Sequence, residues 1–172
     1  MGEEDNIKQM LTLLLVVLPL TACNPAAILP APPATEPQCA YMWDTENLPD
    51  VSAQVQSAMQ AAGLEGITVS AQAFGENNSC GGFGAMETDY RFMVPVEGLE
   101  RTELLGAQLE RLLMVLDDFP VDKTPGPNPG SIKVTFTADS QELNLSFQRQ
   151  AWDAARTDAL QGEALLSALE NK

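Results

Sequence analysis

Residues 67–95 read ITVSAQAFGENNSCGGFGAMETDYRFMVP. Ile67, Val69, Ala71 and Ala73 alternate with Thr68, Ser70 and Gln72, the period of a strand with one buried face. Thr88, Tyr90, Phe92 and Val94 repeat the pattern until Pro95, which has no N–H to give to a ladder. Between the two runs, Asn77 to Gly84 is rich in Asn and Gly, the residues that turn a chain. The stretch therefore predicts a hairpin, wet on one face and apolar on the other.

Working outward, a second hairpin is expected further on. Val134 and Phe136 precede Asp139-Ser140, and Leu143, Leu145 and Phe147 follow it. Helical spacing fills the gaps. Val51, Val55, Met59 and Ala62 lie between Pro49-Asp50 and Gly63, and Leu104, Leu105, Leu109, Leu112, Leu113 and Leu116 form the strongest apolar stripe. Residues 120–130, PVDKTPGPNPG, read as a long turn. A last helix holds Trp152, Leu160, Leu165, Leu166 and Leu169, weakened by Gly162. The expected class is α+β in the order α-β-β-α-β-β-α. It has two layers, an antiparallel four-stranded sheet made of two hairpins and helices on one face.

The 172 residues carry nine Lys and Arg against 24 Asp and Glu, a net charge of −15, and no histidine. Such a surface repels phosphate backbones, so nucleic acid is not an expected partner. The missing histidine removes the commonest general base and metal ligand. With 45% hydrophobic and 19% charged residues, the chain has the composition of a folded protein.

Leu11 to Leu20, LTLLLVVLPL, is an apolar run of signal-peptide length, half of what a membrane-spanning helix needs. Glu3, Glu4 and Asp5 outweigh Lys8 ahead of it, and Met10 offers a second start directly before the run. The run ends in Leu20-Thr21-Ala22-Cys23, which resembles the lipobox of bacterial lipoproteins. That resemblance implies cleavage before Cys23 and acylation of its sulfur, with palmitate-type chains holding the protein to the extracytoplasmic side of a membrane of the cell envelope. Beyond the leader, the chain resembles only uncharacterised bacterial lipoproteins. Residues 24–38, NPAAILPAPPATEPQ, contain five prolines and suit a semi-rigid spacer. The expected organisation is a leader over 1–22, a lipid-anchored linker over 23–38 and one α+β domain over 39–172.

With Cys23 lipidated, Cys39 and Cys80 remain as a pair in a chain bound for an oxidising compartment, and a disulfide between them is expected. The alternative is a free thiol at each.

Candidate chemistry is sparse. Glu87 and Asp89 lie two apart on a strand and face the same way, with Arg91 next in the row. They read either as an acid/base or ligand-binding pair or as the wet face of an amphipathic strand. Gly81-Gly82-Phe83-Gly84 lacks the lysine of a phosphate loop and reads as a turn. Asp117, Asp118 and Asp122 do not match an EF-hand, so neither a metal nor another cofactor is expected. Tyr41, Trp43 and Trp152 read as packing residues or as a stacking surface for a sugar or partner. The leading expectation is a non-catalytic binding or accessory module, anchored to the membrane and serving a protein partner in the cell envelope. The alternatives are an envelope hydrolase using Glu87 and Asp89, or an accessory subunit of a membrane complex.

Overall fold

The computed structural model describes residues 38–170. The leader, Cys23 and the proline-rich stretch up to Glu36-Pro37 lie outside the described residues.

The described chain runs β1 (Tyr41–Asn47), α1 (Pro49–Ala61), β2 (Thr68–Asn78), β3 (Gly82–Pro95), α2 (Thr102–Leu116), a short 3-10 turn (Val121–Lys123), β4 (Asn128–Ala138), β5 (Gln141–Gln148), α3 (Arg149–Thr157) and α4 (Gly162–Glu170). The class is α+β. The sheet differs from expectation: it is five-stranded and mixed, in the order β1-β2-β3-β4-β5, rather than four-stranded and antiparallel. The order α-β-β-α-β-β-α is corrected twice. A strand precedes the first helix, and the final helix is two helices.

Each correction has a local cause. All seven residues of β1 are exposed, and Met42 between Tyr41 and Trp43 blurs the alternation, so no buried apolar row marks the strand. Both hairpins form, β2 with β3 and β4 with β5, but β3 and β4 run parallel. Helix α2 carries the chain back across the sheet between them, the connection that parallel neighbours need. At the carboxyl end, Ala159 and Gly162 have φ of +52° each, which breaks the helical stretch into α3 and α4.

The buried rows of the sheet are Val69, Ala71 and Ala73, then Tyr90, Phe92 and Val94, then Ile132, Val134 and Phe136, then Leu145 and Phe147. They share one apolar cluster with Val55 and Met59 of α1, five leucines of α2, Trp152 of α3 and Leu165, Leu166 and Leu169 of α4. The helices therefore cover one face of the sheet. Leu104, placed in the α2 stripe by its spacing, is instead half exposed. Where α2 meets α4 the backbones nearly touch: a Cβ on Gly106 would lie 1.9 Å from the Gly162 carbonyl oxygen.

Among the described residues, no helix covers the other face of the sheet. β1 pairs only with Gln72–Asn78 of β2. Beyond it, α1 seals the rest of that edge: the Ala71 N–H donates to Ser52 Oγ at 2.8 Å and the Val69 N–H to Gln56 Oε1 at 3.0 Å. Gln56 Nε2 completes the seal by donating to the Ile67 carbonyl at 2.6 Å. Side chains thus finish a ladder that β1 leaves short, as buried backbone groups require.

Candidate functional site

Register places Tyr41, Trp43, Thr45 and Asn47 of β1 on the open face, beside Asn78, Glu76, Phe74 and Gln72 of β2. Glu87, Asp89 and Arg91 of β3 follow across from Phe74, Gln72 and Ser70. The open face therefore carries an aromatic end and a charged middle.

Trp43 stacks on Phe74 with ring centroids 5.4 Å apart and planes 14° from parallel. Tyr41 is 63% exposed and Trp43 62%. Neither packs into the core. Trp152 does: it is buried, and its Nε1 donates to Asp117 Oδ1 at 2.9 Å. The three aromatics considered together in the sequence thus divide between surface and core. On the helix side of β1, Asp44 Oδ1 accepts the Thr45 N–H at 2.8 Å and Oδ2 accepts from Asn77 at 3.2 Å. The Asn77 amide, then the Thr45 N–H, hold the Asp44 carboxyl below its ordinary range.

Glu87 and Asp89 do share the open face, in different states. Asp89 Oδ1 accepts from the Ser131 N–H at 2.7 Å and from Ser131 Oγ at 2.8 Å. The β3–β4 register shifts between Thr88 and Tyr90, and the Asp89 carboxylate supplies the Ser131 amide with an acceptor at that irregularity. Gly130 allows the close approach, since a Cβ there would lie 2.1 Å from the Thr88 carbonyl oxygen. Asp89 is therefore a fastener between parallel strands, a role invisible without the register. Partial burial, then the nearby charge of Asp89, raise the Glu87 carboxyl above its ordinary range. The loop before β4 presses on it, Gly126 lying against the backbone of Met86 and Glu87.

Cys39 and Cys80 form a disulfide, with Cα atoms 5.5 Å apart, and join the start of β1 to the β2–β3 turn. The turn is tighter than its Asn/Gly content suggests, because β2 runs to Asn78 and β3 starts at Gly82. Of the three acidic residues after α2, Asp117 is engaged by Trp152 and by Arg156 at 2.7 Å. No group of three potential metal ligands stands together among the described residues. Among them, no helix is long and apolar enough to cross a membrane. A hollow of about 580 Å³, lined by Pro95, Val96, Glu97, Arg101, Leu104 and Gln108, lies at the β3–α2 connection, away from Glu87 and Asp89.

One buried charge belongs to the scaffold. Arg149 donates from Nη2 to the Leu116 carbonyl at 2.9 Å and so places a cation at the carboxyl end of α2. Tyr90 Oη, next to Thr124 and Arg149, is buried without a partner at hydrogen-bonding geometry. Burial raises the Tyr90 hydroxyl above its ordinary range, opposed by the charge of Arg149.

Comparison of the chain with protein-family models, with curated proteins and with solved structures finds no match.

Proposed function

We propose that this chain is a lipid-anchored, extracytoplasmic binding module of the cell envelope, tethered through Cys23 and serving a protein partner through the uncovered face and edge of its sheet. The observation that carries the binding reading is the exposed aromatic row of β1, Tyr41 and Trp43, with Trp43 stacked on Phe74. Aromatic side chains that give up apolar area to water on one strand are enriched at recognition surfaces. The anchoring reading is supported by the run Leu11 to Leu20 closing in Leu20-Thr21-Ala22-Cys23. A Cys39–Cys80 bridge suits the oxidising side of a membrane. The five prolines of residues 24–38 suit a spacer between anchor and domain.

A second reading assigns acid/base work to Glu87 and Asp89. The raised carboxyl of Glu87 favours it, and the double hydrogen bond from Ser131 to Asp89 opposes it.

Two arms test the proposal. Full-length chain is expressed in a bacterial envelope and fractionated with and without Cys23→Ser. The unsubstituted chain is expected in the membrane fraction and the variant in the soluble fraction; identical fractionation overturns the anchor. Affinity purification from those membranes is then compared between the unsubstituted chain and Tyr41→Ala/Trp43→Ala. A protein retained by the first and lost by the second is expected. Equal recovery on both, or none on either, overturns the binding reading.

A further inference from the structure

We infer that the outer edge of β1 accepts an extended segment of a partner protein in which basic residues alternate with apolar or aromatic ones. This rests on the binding-module reading and names its surface and chemistry.

The backbone comes first. The Ser79 N–H donates to the Ala40 carbonyl and the Leu48 N–H to the Ala71 carbonyl. In an antiparallel pair these bonds recur at every second residue, so Met42, Asp44 and Glu46 face β2. The amides and carbonyls of Tyr41, Trp43, Thr45 and Asn47 then point away from the sheet, where β1 is the terminal strand. One of these outward groups is occupied, the Thr45 N–H by Asp44 Oδ1. Edges are ordinarily blunted by charged side chains, lysine above all, by proline or by a bulge. YMWDTEN has no lysine or proline and pairs with β2 without a register shift; its charges, Asp44 and Glu46, are of one sign, so they turn away acidic strands and leave the edge open to a basic one. Helix α1 seals the neighbouring stretch of β2 with Ser52 and Gln56, and its cover stops where β1 begins.

The side chains then choose the occupant. Met42, Asp44 and Glu46 stand on the helix side of β1, and Tyr41, Trp43 and Thr45 on the open face. The ion pairs of the described residues, Arg101–Glu97, Arg156–Asp117 and Arg156–Asp153, include none of Asp44, Glu46 and Glu76. A strand added beside β1 meets carboxylates in one row and aromatic rings in the other. Cations two residues apart complement Asp44 and Glu46, and apolar residues between them cover Tyr41 and Trp43. A second copy fits poorly, because the antiparallel register that pairs all seven residues sets Asp44 opposite Asp44. Residues 1–38 hold a single cation, Lys8, and supply no such segment. The net charge of −15 also speeds the approach of a basic chain.

The test titrates full-length chain in detergent with a peptide matched to the seven residues of β1, alternating Lys and Val, and with an isomer carrying the same lysines in one block. Trp43 fluorescence reports binding, Trp152 being buried. The alternating peptide is expected to bind about tenfold tighter than its isomer, with a similar loss on Thr45→Pro, whose ring obstructs the outer edge and whose N–H, held by Asp44 Oδ1, takes no part in the β1–β2 ladder. Glu46→Lys, at an exposed position, serves as the second variant and is expected to weaken the alternating peptide alone. Equal binding of the two peptides, or unchanged binding by Thr45→Pro and Glu46→Lys, overturns the inference. So does self-association of the chain abolished by Thr45→Pro, which makes a second copy the occupant. If Thr45→Pro still recovers the membrane partner that Tyr41→Ala/Trp43→Ala loses, the edge is refuted while the binding module stands.

Discussion

Removing the Cys39–Cys80 bridge by a double alanine substitution is expected to loosen the two ends of this fold unequally. The bridge joins residues 41 apart in sequence. In the chain-entropy treatment, a loop of that length restricts the unfolded chain by about 13 cal/mol/K, or about 4 kcal/mol at 25 °C. That is a large part of the ordinary stability of a small domain, roughly 5–15 kcal/mol. The full figure applies only if everything between the cysteines unfolds together. β1 buries no residue, so the bridge, the backbone pairing with β2 and the Trp43–Phe74 stack hold it in place. Without the bridge β1 is expected to detach before the core melts. The two tryptophans separate these events, Trp43 riding on β1 and Trp152 sitting in the core. Urea unfolding is followed in Trp152→Phe and Trp43→Phe backgrounds, each with and without the bridge. With it, both signals are expected to share one transition. Without it, the Trp43 signal moves to lower urea, and the Trp152 transition loses at most about 4 kcal/mol. Coincident transitions within about 1 kcal/mol of the bridged protein would refute the reasoning, since β1 would then be held by something other than the disulfide.

Four further outcomes follow from the geometry. Gly106→Ala forces a methyl to within 1.9 Å of the Gly162 carbonyl oxygen; it is expected to part α2 from α4 at a cost of about 3 kcal/mol, read as a lower Tm. Asp89→Ala strips the Ser131 amide of its acceptor and is expected to cost about 2 kcal/mol in urea unfolding, whereas a purely solvated carboxylate would cost almost nothing. Because the fold raises the Glu87 carboxyl, it favours the protonated form; that contribution is present at low pH and is lost as pH rises through the folded pKa. Glu87→Gln is therefore expected to match the unsubstituted chain in acid and exceed its urea midpoint at neutral pH, and a gap independent of pH would count against it. Tyr90 is also raised, so its contribution is lost as pH climbs past the ordinary tyrosine range. Tyr90→Phe, which removes a buried hydroxyl without a partner, is expected to be neutral or stabilising by up to about 1 kcal/mol near pH 7 and to flatten the alkaline decline.

The two hairpins were legible because their inward rows alternate with polar residues, and the leucines of α2 because a buried helix repeats at its own period. The disulfide followed from counting thiols. What escaped depended on partners distant in sequence. Nothing in the spacing of Asp89 says that Ser131, 42 residues on, brings an amide to it, and nothing near Ser52 or Gln56 marks them as substitutes for a strand. The parallel pairing of β3 with β4 was available in principle, since a long helix between two strands is the connection such neighbours use.

β1 is the instructive failure. Its alternation places Tyr41 and Trp43 in one row and Asp44 and Glu46 in the other, and the usual inference turns the aromatic row inward. The fold does the reverse. Ala73 of β2 is buried opposite Glu46, and Phe74 stands on the open side opposite Thr45, so pairing with β2 commits the aromatic row of β1 to water. A one-residue slip would bring Tyr41 and Trp43 to the helix side, yet that register would also disturb the Ala40–Ser79 and Leu48–Ala71 bonds that lie just beyond the two ends of the strand. The register is therefore held from both ends, by the bridge and by the entry into α1, at the expense of burying two large rings. A strand fixed with its aromatic side outward and its outer edge uncovered departs from what burial alone would select. That departure is the physical ground for proposing a partner at β1.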